Sequence, residues 1–339
     1  MSEATKGNLL DISNLTVRFH GERTVHAING LDLTLKPGEI LTILGESGSG
    51  KSVTLKALLK LLPKKRSEIS GAMHVDGVDV LALKGQALSA YRGKTVSMIF
   101  QEPALALDPV YTIGDQIAEA VMRHEKVSRK EALAVALDML KRVRIPSAES
   151  RLKNYPHEMS GGMRQRAMIA LALACKPDLL LADEPTTALD ATVQIQVLLL
   201  LRELQREFGM GIIFVTHDIG VAVEISDRIA VMYAGNVVEE GTVAEIIKDP
   251  RHPYTQGLLA ANLHDADRSQ TLASIPGSPP PLDEKPDHCS FAPRCAHARD
   301  RCYAALPPVH RPGPGRRVAC ILEDASDPAE KPGAMAEIH

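Results

Sequence analysis

The chain has 339 residues, of which 45% are hydrophobic, and its formal charge at neutral pH is only −3. This length exceeds one typical domain, and the near-neutral charge excludes a global electrostatic attraction to nucleic acid. No apolar run approaches the roughly 18 residues of a membrane span, and residues 1–6 lack the apolar core of a signal peptide. We therefore expect a soluble, cytoplasmic protein.

The first part of the chain predicts three strands, at residues 9–19, 31–35 and 40–44, with a Pro37-Gly38 turn between the last two. The third strand leads directly into the loop Gly45-Glu-Ser-Gly-Ser-Gly-Lys-Ser52. A helix-forming run over residues 52–62 follows this loop.

This strand–loop–helix arrangement predicts a phosphate-binding loop. Its glycines let successive backbone N–H groups converge on phosphate oxygens, and the positive end of the helix adds a favourable dipole. Lys51 reaches the terminal phosphates, and the Ser52 hydroxyl can ligate Mg²⁺. The sequence therefore predicts binding of a nucleoside triphosphate. The residues assigned to this site are Gly45, Glu46, Ser47, Gly48, Ser49, Gly50, Lys51, Ser52 and Val53.

The middle of the chain predicts alternating strands and helices. A buried strand is expected at residues 96–100, and strands return at 178–183 and 212–216, with a helix over 192–208 between them. Residues 228–233 and 237–240 predict a hairpin turning at Gly235-Asn236. This alternation is typical of an α/β fold with a largely parallel sheet covered by helices on both faces.

Residues 103–166 interrupt this alternation with a helical pattern. The capping box Ser128-Arg-Lys-Glu131 starts one helix, and an apolar stripe at helical spacing follows it. We therefore predict a helical insertion over about residues 103–166.

Polar residues at three predicted strand ends are candidates for chemistry on the nucleotide. Asp183 can hold Mg²⁺ beside the phosphate loop, and Glu184 can polarise a water for in-line attack on the γ-phosphate. His217 can contact the γ-phosphate from the far side. Gln101 can reach Mg²⁺ or the attacking water with its amide.

Ser160-Gly161-Gly162 precedes another predicted helix, whose N-terminus is fit for an anion. Taken alone, this segment is an ordinary Ser N-cap followed by flexible glycines. Its position 23 residues before Asp183 favours an anion-binding role instead.

Together these motifs resemble the full motif set of an ATP-binding-cassette (ABC) ATPase, in the family's order over about residues 9–250. The Ser-Gly-Gly signature between Gln101 and Asp183 makes the set specific, because phosphate loops alone are common. The segments that carry the resemblance are 45–52, Gln101, Met159-Ser-Gly-Gly-Met-Arg-Gln-Arg166, 179–184, Ala188-Leu-Asp190 and His217.

Three features resemble the oligopeptide, dipeptide and nickel importer branch of this family, and they extend the resemblance to about residue 322. Met163 stands where the family usually has Gln. The other two are the runs His-Pro-Tyr-Thr-Gln-Gly-Leu at 252–258 and Ile-Pro-Gly-Ser-Pro-Pro-Pro-Leu at 275–282.

The resemblance implies a P-loop NTPase fold, with a RecA-like parallel core and N-terminal antiparallel strands. It divides the chain into an ABC nucleotide-binding domain over residues 1–255, with its helical subdomain at about 103–166, and a C-terminal extension over 256–339. The extension is rich in proline and cysteine, and the polar stretch 325–339 is expected to fray.

The resemblance also implies roles within the chain's own nucleotide site. Ser52, Gln101 and Asp183 serve Mg²⁺, Glu184 is the general base, and His217 is the switch that senses the γ-phosphate.

Other roles implied by the resemblance concern adenine and the opposite subunit. Phe19 is predicted to stack on adenine, and His20 is the alternative for this role. Ser160, Gly161 and Gly162 act on ATP held by the opposite subunit, and Asp190 couples the two sites across the interface. ATP hydrolysis is therefore expected only from a paired subunit.

Cys289, Cys295, Cys302 and Cys320 cluster in the proline-rich tail, where ten of the 22 prolines fall between residues 276 and 314. We expect no helix or long strand at that proline density. Four thiolates suit a zinc ion or an iron–sulfur cluster. The wide gaps differ from the paired C-x₂-C of common zinc ribbons and favour a [4Fe–4S] cluster, with zinc and unliganded thiols as alternatives. Some members of the importer branch carry such a cluster. Cys175 is predicted to be a small buried hydrophobe.

The sequence therefore predicts the ATPase subunit of a membrane importer for peptides or a related small solute. Its implied partners are a homologous ATPase subunit in a heterodimer, two transmembrane permease subunits and, indirectly, a periplasmic or extracellular solute-binding protein. It would lie on the cytoplasmic face of the inner membrane. The alternatives are a soluble ABC ATPase acting on nucleic acid or ribosomes, and an iron–sulfur scaffold with vestigial ATPase activity.

Overall fold

A computed structural model describes residues 7–187, 189–263 and 275–324 of the chain. The expectations for residues 1–6, for Ala188 and for the polar stretch 325–339 lie outside the described residues. The strands, in chain order, are β1 Leu10–Phe19, β2 Val25–Leu35, β3 Ile40–Leu44, β4 Ser67–Val75, β5 Val78–Asp79, β6 Val96–Ile99, β7 Leu179–Asp183, β8 Gly211–Thr216, β9 Arg228–Tyr233, β10 Asn236–Thr242, β11 Val309–Gly313 and β12 Arg316–Ala319.

The helices range from single turns to α8, with 18 residues. In chain order they are α1 Lys51–Leu58, α2 Gly85–Ala90, α3 Pro103–Ala106, α4 Ile113–His124, α5 Arg129–Arg142, α6 Ala148–Arg151, α7 Gly161–Leu173, α8 Ala191–Phe208, α9 Ile219–Ile225, α10 Val243–Lys248, α11 Pro253–Leu263 and α12 Asp300–Ala304. Irregular or tight helical turns lie at Tyr91–Thr95, Pro156–Glu158, Ala292–Arg294 and Ile321–Glu323. Among the described residues, no helix combines the length and apolarity needed to cross a bilayer.

The larger sheet has the strand order β11-β12-β10-β9-β3-β8-β7-β6. Its central strands are parallel, with β3 between β8 and β9, and β7 between β6 and β8. Every residue of β3, β7 and β8 is buried, as expected of parallel strands covered on both faces. The predicted α/β fold with a largely parallel sheet is confirmed.

The smaller sheet is antiparallel, in the order β2-β1-β4-β5, and it confirms the antiparallel N-terminal strands. It packs on one face of the larger sheet with α1, where Leu179 and Leu181 of β7 join the shared core. Leu180 and Ala182 point to the opposite face and pack with the helices of the 103–166 region and with α7 and α8. This alternation follows from the two-residue period of a strand.

The helical character of residues 103–166 is confirmed, since α3 to α6 lie there and α4 packs on α5. Ser128 caps α5 in the predicted capping box with Glu131. Helix α8 ends at Gly209, which adopts the left-handed conformation (φ +67°) that glycine tolerates.

The structure corrects two local predictions. The hairpin of β9 and β10 turns at Ala234-Gly235, both with positive φ, whereas Asn236 already pairs with Tyr233. The proline-rich tail is also more regular than predicted. Helix α12 fits because residues 294–306 contain no proline, and β12 pairs with β10 at the edge of the larger sheet.

Candidate functional site

The phosphate loop joins the end of β3 to the start of α1, and neighbouring backbone and side-chain atoms fix its path. A Cβ atom on Gly45 would lie 2.2 Å from the carbonyl oxygen of Met232. A Cβ atom on Gly50, which has φ +104°, would lie 2.7 Å from the carbonyl oxygen of Ala27. Any side chain at these two positions would therefore displace the loop.

Lys51 is held inside this loop. Its side chain is buried, and Nζ donates to the carbonyl oxygens of Gly45 at 2.7 Å and Glu46 at 2.9 Å. Burial lowers the pKa of Lys51, while the nearby carboxylates of Glu184 and Asp183 act in the opposite direction. Phosphate oxygens accept stronger, charge-assisted hydrogen bonds than carbonyls, so the ammonium is well placed for an incoming polyphosphate.

Ser52 and Asp183, separated by 131 residues, meet beneath the loop. Ser52 Oγ donates to Asp183 Oδ1 at 2.8 Å. They meet because β3 and β7 both flank β8, which brings the carboxyl ends of these parallel strands to one edge. Burial raises the pKa of Asp183, and the hydrogen bond from Ser52 opposes this shift. A hydroxyl and a carboxylate in contact provide two oxygen ligands of the kind that Mg²⁺ prefers.

Glu184 adopts an uncommon backbone conformation. Its φ is +44°, in the left-handed region that disfavours non-glycine residues. Its N–H donates to the carbonyl oxygen of Val215 in β8 at 3.0 Å, which anchors the residue to the sheet. Strained residues of this kind cluster at functional sites because the surrounding structure must hold them in place.

Three polar side chains contact the Oε2 atom of Glu184. Thr187 Oγ1 donates to it at 3.0 Å, Gln101 Nε2 donates at 3.4 Å, and His217 Nδ1 lies 3.2 Å away. The structure therefore brings together the three predicted residues Gln101, Glu184 and His217 and adds Thr187.

An open cavity of about 750 Å³ lies beside the loop, and Lys51, Ser52 and Glu184 are among the residues that line it. Its lining includes Glu46 to Val53, together with Gln101, Glu184, Thr187 and His217. The other lining residues are apolar: Phe19, Val25, Ala27, Leu258 and Leu282. Phe19 is thus among the lining residues, whereas His20 Nε2 lies 3.2 Å from Glu68 Oε2.

The predicted signature lies apart from this cavity. Ser160 Oγ accepts a hydrogen bond from the N–H of Met163 and caps α7. Asp190 Oδ1 accepts from the N–H of Val193 and caps α8. A Cβ atom on Gly162 would lie 3.2 Å from Val193 Cγ1, so these two helix starts pack side by side. Ser160 and Gly161 are exposed on this surface, and within one chain they cap a helix rather than contact the phosphate loop.

The four tail cysteines line a second, small cavity of about 20 Å³ with apolar walls, including Phe291 and Ile321. All four are free. Burial raises the pKa of the Cys289 and Cys295 thiols, and it raises that of Cys320 to about 12. Within the described ranges, no group of three or more His, Cys, Asp or Glu side chains has the arrangement of a metal site.

Cys175 lies elsewhere, in the helical region, where it is partly buried. Its Sγ donates to the carbonyl oxygen of Ala120 at 3.7 Å, and burial raises the pKa of its thiol to about 11. Because the thiolate is the reactive form, this environment disfavours reaction of Cys175 at neutral pH.

Several residues of the site are not identified by sequence patterns. Thr187 lies three residues after Glu184, and its proximity to that carboxylate is the signal that could have identified it. Leu258 and Leu282 reach the cavity from the region after β10, and local patterns do not predict such long-range contacts.

Known proteins resemble the chain over most of its length. The family described as ABC transporter matches residues 28–187, and the one described as Oligopeptide/dipeptide transporter, C-terminal region, matches residues 238–302. A protein of Brucella melitensis, named as a peptide import ATP-binding protein, is 49% identical over 314 residues, covering 89% of this chain and 93% of its own. The Oligopeptide transport ATP-binding protein OppD of Escherichia coli is 46% identical over 314 residues, covering 92% and 93%.

Solved structures resemble the chain as well. A dimeric ATP-binding cassette in a post-hydrolysis state, bound to ADP and phosphate, superposes with a TM-score of 0.62 at 30% identity, covering 69% of this chain and 98% of that one. A Clostridium perfringens protein described as part of an ABC transporter complex gives a TM-score of 0.62 at 25% identity, covering 77% and 96%.

Proposed function

Because the chain belongs to the ABC transporter ATPases, we propose that it hydrolyses ATP to power a membrane importer for peptides or a related small solute. The observation that carries the importer proposal is the match of residues 238–302 to the C-terminal region of oligopeptide and dipeptide transporters. Relatives named for peptide import and oligopeptide transport support the substrate class.

The phosphate loop binds the polyphosphate of ATP in this proposal. Lys51 exchanges the carbonyl oxygens of Gly45 and Glu46 for phosphate oxygens, and the loop's N–H groups and the start of α1 supply further donors. Phe19 and the apolar wall beside it receive the adenine ring.

Magnesium is held by Ser52, Asp183 and Gln101 in this proposal, and when bound it neutralises charge on the terminal phosphates. The Ser52–Asp183 contact of 2.8 Å supports this assignment, because it already joins a hydroxyl and a carboxylate beside the loop. Gln101 lines the same cavity.

Glu184 is the proposed general base. It accepts a proton from the water that attacks the γ-phosphorus. The bond from that phosphorus to the β–γ bridging oxygen breaks, and ADP and inorganic phosphate are the products. His217 senses the γ-phosphate and exchanges its contact with Glu184 for one with the nucleotide. Thr187 holds the carboxylate from its other side.

A complete site requires a second ATPase subunit, in the proposal a homologous one. Ser160, Gly161 and Gly162 act on ATP bound to that subunit, and Asp190 couples the two sites. The exposure of Ser160 and Gly161 at the start of α7 and of Asp190 at the start of α8 supports this role. Each charge-assisted hydrogen bond gained on closure contributes roughly 1.5–3 kcal/mol, so a few of them shift the dimer from open to closed.

The dimer would act on two transmembrane permease subunits at the cytoplasmic face of the inner membrane, supplied with solute by a periplasmic or extracellular binding protein. The proposed division of the chain is a nucleotide-binding domain over residues 1–255, with its helical subdomain at 103–166, and an extension over 256–339. Purification from detergent-solubilised membranes tests these partners. Co-purifying permease subunits support the importer, whereas RNA or ribosomes in their place would favour the rival ATPase function.

Cys289, Cys295, Cys302 and Cys320 are proposed to hold one metal centre, a [4Fe–4S] cluster with zinc as the alternative. All four line one cavity, which supports the proposal, but their side chains do not have the arrangement of a metal site in the described residues, so binding requires them to move. Thiols whose pKa is raised by burial stay protonated unless a cation compensates the thiolate charge. When bound, the centre supplies structural cross-linking. Anaerobic purification with metal analysis distinguishes iron and sulfide from zinc, and a metal-free protein contradicts both.

A further inference from the structure

The extension places one arginine against the phosphate loop. Arg294 pairs with Glu46, the second residue of that loop, through two nearly parallel contacts. Nη1 donates to Oε2 at 2.7 Å, and Nη2 donates to Oε1 at 3.0 Å. This fork-to-fork pairing is the strongest geometry between an arginine and a carboxylate.

The guanidinium group of Arg294 is fully engaged. Nε donates to the carbonyl oxygen of Pro276 at 2.9 Å, Nη2 donates to that of Ile275 at 3.3 Å, and Nη1 donates to Tyr233 Oη at 3.3 Å. It also lies over the rings of Tyr233 and Phe291, 5.8 and 6.0 Å from their centroids. Because only 5% of the side chain is exposed, Arg294 has little freedom to move.

Glu46, the partner of Arg294, also lines the proposed nucleotide cavity. Its backbone N–H donates to Tyr254 Oη at 3.0 Å, and its carbonyl oxygen accepts from Lys51 Nζ at 2.9 Å. One loop residue is therefore joined to Arg294 by its side chain and to Lys51 by its backbone.

We propose that Arg294 is a positioning residue that neutralises Glu46, so that the extension sets the affinity of the phosphate loop for nucleoside polyphosphates. An acidic side chain beside a polyphosphate site opposes anion binding unless a cation compensates it. Arg294 supplies that cation from 248 residues away. The inference rests on the proposed nucleotide role of the loop.

The same geometry links the loop to the tail cysteines. Arg294 ends the turn Ala292–Arg294, which lies between Cys289 and Cys295. The N–H of Ala292 donates to the carbonyl oxygen of Cys289 at 3.0 Å, and the N–H of Cys295 donates to that of Ala292 at 3.2 Å. A change in the cysteine cavity would thus move the turn that carries Arg294.

A double-mutant cycle on the full chain tests the proposal, with ADP and ATP dissociation constants measured by titration calorimetry. We expect Arg294→Gln to raise the dissociation constants about tenfold or more, because it leaves Glu46 unpaired. Glu46→Gln should bind at least as tightly as wild type. The double variant Glu46→Gln/Arg294→Gln should have dissociation constants within about threefold of those of Glu46→Gln. Arg301→Gln, which removes an exposed pair with Asp324 in the same extension, is the matched control and should bind as wild type.

Wild-type nucleotide affinity in Arg294→Gln would overturn the proposal. A double variant that binds as weakly as Arg294→Gln would also overturn it, because Arg294 would then act through packing alone. If Arg294→Gln fails to fold, weaker binding by Glu46→Gln than by wild type overturns it. Lys51→Ala separates the two levels of inference. If Lys51→Ala binds nucleotide as tightly as wild type, the nucleotide site itself is wrong. If Lys51→Ala loses binding while Arg294→Gln keeps wild-type affinity, only the role of Arg294 is wrong.

Discussion

His217 Nδ1 lies 3.2 Å from Glu184 Oε2, where β8 and β7 end side by side. The proposed base and the proposed γ-phosphate sensor therefore share one contact, which Thr187 supports from the other side. A nucleotide that attracts the imidazole would release part of the hydrogen bonding on the carboxylate. In the proposed mechanism, sensing of the γ-phosphate and activation of the base are coupled through the Oε2 atom of Glu184.

Lys51→Ala should weaken ATP binding by about 10- to 100-fold, because one charged donor to the terminal phosphates, worth roughly 1.5–3 kcal/mol, is lost. Titration calorimetry on the isolated chain measures this effect. Lys130→Ala, at an exposed position of α5, is the control and should leave affinity within about twofold. An unchanged ATP affinity in Lys51→Ala would remove the phosphate loop from the binding site.

The elements that position this site could be predicted because their signals are local. The phosphate loop lies between a buried strand and a helix, and Asp183 and His217 end or follow buried strands that the parallel order brings to one edge. The hairpin turn was misplaced by one residue because Gly235 alone does not reveal which neighbour, Ala234 or Asn236, adopts positive φ.

The contribution of the tail to the site could not be predicted from the sequence. Arg294 and Glu46 are separated by 248 residues, and neither lies in a pattern that identifies the other. Leu282 follows three prolines, and its position beside the cavity depends on tertiary contacts such as the hydrogen bond from the N–H of His26 to its carbonyl oxygen at 2.7 Å.

Gly45→Ala should destabilise the fold by about 3 kcal/mol, since the added Cβ would lie 2.2 Å from the carbonyl oxygen of Met232 and the backbone must shift. Gly161→Ala is the matched control, because no atom lies within 4 Å of its Cβ position. That variant should keep or slightly raise stability, as alanine favours a helix. Chemical denaturation measures both, and equal stability of the two variants would contradict the packing of the loop.

Ser160→Arg should leave ATP binding by the isolated chain unchanged and reduce hydrolysis by the assembled ATPase pair at least about 100-fold, because a large cation at the exposed start of α7 blocks closure. Ser150→Arg, at an exposed position in the same helical region, is the control and should retain activity. Calorimetry and steady-state phosphate release provide the two measurements. Loss of binding by the isolated Ser160→Arg chain would assign Ser160 to the local site and contradict a composite one.

Cys295→Ser should lower the metal content of anaerobically purified protein, because one of the four proposed thiolate ligands is lost. The turn Ala292–Arg294 should also exchange its amide hydrogens faster. Cys175→Ala, whose thiol lies in the helical region, should keep the wild-type metal content. If Cys295→Ser and wild type carry equal metal per chain, the four-cysteine centre is wrong.

ATP-driven peptide uptake tests most directly whether this site powers import, in membrane vesicles that contain this chain, its partner ATPase and the permease subunits. Wild type should take up peptide and release phosphate. Glu184→Gln should bind ATP yet lose both activities by at least about 100-fold, because an amide cannot accept the proton from water. Glu203→Gln, which removes an exposed pair with Arg144, should transport as wild type. Wild-type uptake and hydrolysis in the Glu184→Gln complex would contradict the assignment of the base and the proposal that this site powers import.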